Sequence, residues 1–387
     1  MQINSKPSRP TWRTLITNWS NVALPSSNYQ EAKIRSFALL ASQLKQFLLS
    51  NLRRDGSSPH LSQSEFVRSL PLVLSDCNLD VYDKTGAVEA YAFLHLLERY
   101  RRTWDAMVAL ACNGILPFHE SALHVLDVGA GPAGSTWALQ DFYAVVRETS
   151  QPITELSPLT SCNVNVATVE RSPAMASWSH YFAEATNRAG PFRPKFNDFR
   201  EYNAATIREK LRAEEIKILE NDDEMSRSQA IRNVDHLNPV WKEEERYNLC
   251  VLSYFLTKEE MPRTFREELF SIMKSLRAGG VFAVLGGVGN PYPAVYRELD
   301  RLSADAGLRR IEQIDKRPNF YDNCEAVLIK DLYDTIVQFG LTTKMREKVR
   351  ELLPKAQDVW DIRSPLVGPH NYALRVYRTP DRRDPRK

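Results

Sequence analysis

The stretch HVLDVGAGPAGSTWAL, positions 124–139, constrains this chain more than any other. Val125, Leu126 and Val128 form a short apolar run bounded by turn residues. Such a run reads as a buried strand of a parallel sheet. Gly129, Gly131 and Gly134 follow, and glycine permits φ > 0 and a close backbone approach to a ligand. From Ser135 the residues Thr136, Trp137, Ala138 and Leu139 begin a helix, whose first N–H groups suit an anionic or polar ligand group. GAGPAG matches the G-x-G-x-x-G spacing of dinucleotide loops, a pattern of weak specificity by itself. Asp127, two residues before the first glycine, bears on that choice. A carboxylate there repels a pyrophosphate but accepts hydrogen bonds from an ammonium or a hydroxyl.

A second acid stands at the end of the next β-favouring run, in VNVATVERSPAMASW at 164–178. Val164, Val166 and Val169 supply the strand, Glu170 ends it 43 residues after Asp127, and Ser172-Pro173 opens a helix. Further on, FRPKFNDFREYN at 192–203 carries Asn197, Asp198 and Phe199. Asn197 or Asp198 would serve equally as the cap of a helix starting near Phe199. YNLCVLSYFLT at 247–257, GGVFAVLGGV at 279–288 and NYALRVYRT at 371–379 read as later strands. Between the last two, a helix is expected from about Ala294 to Gly307, followed by another strand.

The phrase VLDVGAGPAGST resembles the first motif of class I S-adenosylmethionine-dependent methyltransferases. The resemblance implies a Rossmann-like doubly wound α/β sheet, with S-adenosylmethionine as cofactor and S-adenosylhomocysteine as product. It carries cofactor contacts onto Asp127, Gly129, Ala130, Gly131 and Gly134. It assigns Glu170 to the ribose hydroxyls and Asp198 to the adenine amino group, with Arg171, Asn197 and Phe199 as further cofactor contacts. Ser253, a further cofactor contact, falls at the end of the fourth strand, and Tyr254 where the transferred methyl group would sit, which makes Tyr254 the catalytic candidate. Tyr91, Tyr100, Asn290 and Tyr292 are the candidates to line the acceptor pocket. The Asn/Asp-Pro-Pro-aromatic sequence of adenine amino-methylating enzymes is absent at Ser253-Tyr254-Phe255. VLDVGAGPAGSTWA and the aromatic helix before it are also similar to the ribosomal small-subunit methyltransferase-like family, whose cysteine cluster this chain lacks.

At 387 residues and 43% apolar, the chain has length for more than one unit and material for a real core. Residues 1–28 are polar and proline-containing and are expected to be extended. Apolar spacing of three and four over 29–52, 63–75 and 84–112 makes 29–115 an all-helical cap or substrate domain, and a face for homodimerisation. The methyltransferase domain then spans 116–379, with helical insertions at about 200–246 and 320–365, and the tail 380–387 is expected to be disordered. His95 is a candidate base on the third of these helices, though a hydrogen-bonded histidine is commoner there. His60, His119, His124, His180, His236 and His370 have no better support.

A net charge of +3 with both signs interspersed gives no concentrated basic footprint of the kind nucleic-acid binders show. Cys77, Cys112, Cys162, Cys250 and Cys324 are scattered without a C-x-x-C pair, so no metal site is expected. The chain has no run of about 18 apolar residues, and a cytoplasmic protein with no membrane partner is expected. The expectation is therefore methyl transfer to an oxygen, nitrogen or carbon nucleophile of a small molecule or peptide. RNA methylation and a non-catalytic, S-adenosylmethionine-binding assembly or scaffold role stand as the alternatives.

Overall fold

A computed structural model describes residues 11–53, 63–74, 82, 84–119, 122–161, 163–187, 195–197, 246–317, 322–352 and 371–380. Asp198 and Phe199, the 200–245 stretch, 353–370 and the tail from 381 lie outside the described residues.

Four helices precede the sheet: α1 (Trp12–Val22), α2 (Ser27–Arg53), α3 (Gln63–Leu74) and α4 (Ala87–Cys112). Then come β1 (Ala122–Val128), α5 (Gly134–Ser150), β2 (Asn163–Val169), α6 (Pro173–Ala185), β3 (Lys195–Asn197), β4 (Tyr247–Ser253), β5 (Leu276–Gly286), β6 (Arg309–Arg317) and β7 (Tyr372–Arg378). The strands form one seven-stranded sheet in the order β3-β2-β1-β4-β5-β7-β6. β1 to β5 pair in parallel, whereas β7 runs antiparallel to both β5 and β6. This is the expected doubly wound α/β sheet, with helices ahead of it. Strand order reverses between β1 and β4, and ligands of open α/β sheets bind in the crevice beyond the carboxyl ends at such a switch point.

Alternation along β1 sorts its side chains to two cores. Leu123 and Val125 join α1 to α6, while Leu126 and Val128 join Ile272, Phe282, Leu299 and Leu302 on the other face. The N-terminal helices thus share one continuous core with a face of the sheet. Glu325, fully buried, ties this layer to the later helix Asn323–Thr335, meeting Lys33 at 2.8 Å and Arg101 at 2.9 Å.

The expectation of an extended 1–28 is corrected: 12–22 is helical, and α2 already begins at Ser27. Thr11 caps α1, and Leu15, Ile16 and Trp19 are buried on one side of it. Trp19 Nε1 donates to Thr149 Oγ1 on α5 at 3.0 Å, a contact across 130 residues that local sequence does not reveal. No helix among the described residues is long and apolar enough to cross a membrane.

Candidate functional site

The chain leaves β1 through a loop with positive φ at Gly129 (69°), Gly131 (55°) and Ala133 (64°). The N–H groups of Gly129 and Ala130 donate to the Val169 carbonyl at 2.8 and 3.2 Å, which fastens the loop to the end of β2. The three glycines do different things. A Cβ at Gly129 would lie 2.4 Å from the Phe255 ring, so this glycine lets the aromatic residue after β4 close over the loop. A Cβ at Gly131 would meet Met175 Sδ at 3.7 Å and Tyr91 Cε1 at 3.9 Å, ordinary van der Waals contacts, so here it is the positive φ and not crowding that asks for glycine. A Cβ at Gly134 would strike the Leu96 carbonyl oxygen at 2.7 Å. Gly134, expected beside the cofactor, is placed instead where α5 packs against α4.

Two carboxylates flank this loop. Asp127 is completely buried, and its Oδ2 accepts from Thr136 Oγ1 at 2.6 Å. Its Oδ1 is buried without a hydrogen-bond partner. Burial pushes the Asp127 carboxyl up to about 7, against the lowering effect of the Thr136 hydroxyl. Glu170 folds back under the loop, accepting from Gly131 N–H at 2.6 Å through Oε2 and from Ser172 N–H at 2.8 Å through Oε1. Burial raises its carboxyl as well, while these N–H groups pull it down. The Arg171 N–H is a third backbone donor acting on Glu170, so its two oxygens keep only part of their acceptor capacity free. Arg171, next in the chain, is exposed. Ser172 caps α6 through Met175 N–H, with Pro173 in the first turn as expected. Asn197 is the last residue of β3, in register with Val169.

β4 stops at Ser253, sooner than the apolar run suggested, because Tyr254 turns to φ 56°. The left-handed region is uncommon for a bulky residue and costs on the order of 1–3 kcal/mol. The turn brings the Tyr254 ring beneath α4, with Arg99 Cζ 4.0 Å and Arg102 Cζ 4.5 Å from its centroid. Its hydroxyl and that of Ser253 are both buried without a partner. Burial pushes the Tyr254 phenol up to about 12. Tyr292 packs edge-on against Tyr254, with centroids 6.4 Å apart. Tyr91 also reaches the loop, its hydroxyl accepting from Arg99 Nε at 3.3 Å.

Two pocket candidates fall elsewhere. Tyr100 is 1% exposed, stacked on Trp104, and donates to Asp141 at 2.9 Å, which makes it a helix-core residue. Asn290 is exposed and leads the Tyr292–Asp305 helix by two residues. His95 Nδ1 sits 3.1 Å from Glu98 Oε2, and Glu98 in turn pairs with Arg102. Arg99, Arg102 and Phe255 were missed in the sequence. The available signal was the recurrence of Tyr91, His95, Arg99 and Arg102 at spacings of four, four and three, which places them along one line of the helix. Among the described residues no group of three His, Cys, Asp or Glu side chains is placed to hold a metal ion.

No family model matches the chain, and no curated protein matches it. Its fold is similar to solved structures, among them a putative sarcosine dimethylglycine methyltransferase from Galdieria sulphuraria (14% identity, 72% of this chain and 86% of that one, TM-score 0.35). Others are magnesium protoporphyrin IX methyltransferase from Synechocystis PCC 6803 with bound S-adenosylhomocysteine (8%, 82% and 95%, 0.34) and a (4+2)-cyclase (10%, 73% and 81%, 0.35). Likeness at this level assigns no chemistry, which has to come from the residues of this chain.

Proposed function

We propose that this chain binds S-adenosylmethionine over the glycine loop and transfers its methyl group to an oxygen, nitrogen or carbon nucleophile of a small molecule or peptide. One observation carries the reading. At the switch point, β1 and β2 both end in carboxylates, and Asp127 keeps a buried Oδ1 with no partner. A buried acceptor of that kind suits an ammonium and opposes a pyrophosphate. The free lobes of Glu170 suit a vicinal pair of ribose hydroxyls. The residues therefore fit S-adenosylmethionine better than a dinucleotide.

When bound, the cofactor supplies a sulfonium methyl, an electrophile that needs an aligned nucleophile more than a base. The chain's part is to align and to exclude water. Asp127 would hold the cofactor's ammonium and Glu170 its ribose hydroxyls, and α4 roofs the loop with Tyr91 and Arg99. Tyr254, its phenol raised to about 12, keeps its proton at neutral pH and so donates a hydrogen bond to the acceptor rather than taking a proton from it.

Incubation with methyl-labelled cofactor and fractionated cell extract tests the reaction. Label is expected in the small-molecule or peptide fraction. Tyr254→Phe is expected to lose about tenfold or more in turnover. Its melting temperature should be equal or higher, because an unsatisfied buried hydroxyl is removed. Label in RNA would reassign the acceptor. S-adenosylhomocysteine binding without label in any fraction would mark a non-catalytic binder.

A further inference from the structure

Arg99 stands on the roof of the loop, favoured by the nearby Glu98 charge but in no ion pair among the described residues. Glu98 is already engaged by Arg102 and His95. Arg99 donates through Nε to the Tyr91 hydroxyl and lies over the Tyr254 ring, but among the described residues it forms no ion pair. Its Nη1 is buried with no hydrogen-bond partner. A guanidinium cannot escape burial by losing its proton, as a lysine can. A half-buried guanidinium with an unpartnered buried N–H and no ion pair is suited to a ligand anion that the protein alone does not supply.

Its surroundings say what that partner is. Arg99 Cβ is 3.0 Å from where a Cβ of Gly134 would be, and the Tyr91 ring that braces it stands over Gly131. The free donor therefore lies at the carboxyl ends of β1 and β4. Two-pronged guanidinium recognition matches a carboxylate or a phosphate. Asp127 and Glu170 at the same loop weigh against a doubly charged phosphate. A zwitterionic amino-acid group, by contrast, would answer both orphans at once, its ammonium meeting Asp127 Oδ1 and its carboxylate meeting Arg99. We infer that Arg99 anchors the carboxylate of a bound ligand above the glycine loop. Only the choice of molecule rests on the methyl-transfer reading: the carboxylate belongs either to the amino-acid end of the cofactor or to the acceptor.

The probes are S-adenosylhomocysteine, its decarboxylated analogue S-adenosyl-3-thiopropylamine, and acetate. Without ligand, Arg99→Met is expected to melt no lower than the wild type, since a half-buried charge without an ion pair is gone. Wild type should prefer S-adenosylhomocysteine over the decarboxylated analogue by about tenfold or more. If Arg99→Met abolishes that preference, the carboxylate is the cofactor's. Arg99→Lys, which keeps the charge without the fork, should keep the fold and lose most of the preference. If the preference survives while acetate stabilises the S-adenosylhomocysteine-loaded wild type and not Arg99→Met, the carboxylate is the acceptor's. Should wild type bind neither adenosyl compound, the methyl-transfer reading fails. Acetate protection lost in Arg99→Met would still sustain the anchor in that case. Arg99→Met that melts below wild type with all three ligand responses unchanged would reduce Arg99 to a packing residue and overturn the inference.

Discussion

Asp127→Asn is expected to gain stability relative to the wild type as pH rises from 5 to 8. In the folded wild type the carboxyl titrates near 7, whereas its ordinary value is 3.8. Between those values the folded protein holds a proton that the unfolded chain has released. Stability from this group is thus fully present below about pH 4 and lost as pH rises through about 7. At 1.36 kcal/mol per pH unit the whole window is worth up to about 4 kcal/mol, of which about 3 fall between pH 5 and 8. Asparagine keeps an acceptor for Thr136 and does not titrate. Its NH2 group takes the unpartnered Oδ1 position with two donors unpaired, a constant cost of about 1–3 kcal/mol or more that does not alter the pH slope. Urea unfolding of both proteins at several pH values measures the difference. A gap between variant and wild type that stays flat from pH 5 to 8 would show that burial does not hold a proton on Asp127 in the folded chain.

Gly129→Ala is expected to destabilise the protein by about 2–5 kcal/mol, far more than a typical Gly→Ala change. Two costs add. A non-glycine residue at φ 69° pays roughly 1–2 kcal/mol, and a Cβ 2.4 Å from the Phe255 ring overpacks the site by about 1–3 kcal/mol. Only the second depends on Phe255. In a double-mutant cycle, Phe255→Ala should therefore cost less in the Gly129→Ala background than in the wild type, by about 1–3 kcal/mol. Strict additivity would mean that the ring does not lie on Gly129, and the description of the loop would have to change.

What the sequence disclosed and what it hid divide along a physical line. The glycine loop, the acids at both strand ends and the Ser172-Pro173 helix start were legible because each is a local backbone requirement: a positive φ, a strand terminus, a missing N–H. The parallel strands were legible because burial on both faces makes them short apolar runs. α1 was not, since its stability comes from burying Leu15, Ile16 and Trp19 against helices far along the chain. Nor was the division of labour among the glycines: Gly134 serves the α5–α4 contact through the Leu96 carbonyl, a neighbour 38 positions away. Tyr100 and Tyr91 share a helix and a residue type, yet one donates to Asp141 within the core and the other reaches the loop. Periodicity alone cannot separate them, because both lie within the wide buried surface of α4. Arg99 and Arg102 were hidden for a related reason: charged residues recur along α4, and only the packed fold shows which of them face Tyr254.

Calorimetric titration of the wild type and Glu170→Ala with S-adenosylhomocysteine, and of the wild type with NAD, tests the cofactor site most directly. The wild type is expected to bind S-adenosylhomocysteine and to ignore NAD. Glu170→Ala should remain folded and bind S-adenosylhomocysteine about tenfold to a hundredfold more weakly, the loss of charge-assisted acceptance worth about 1.5–3 kcal/mol. NAD binding more tightly than S-adenosylhomocysteine, or a loss below about twofold in Glu170→Ala, would contradict the assignment of this loop to S-adenosylmethionine.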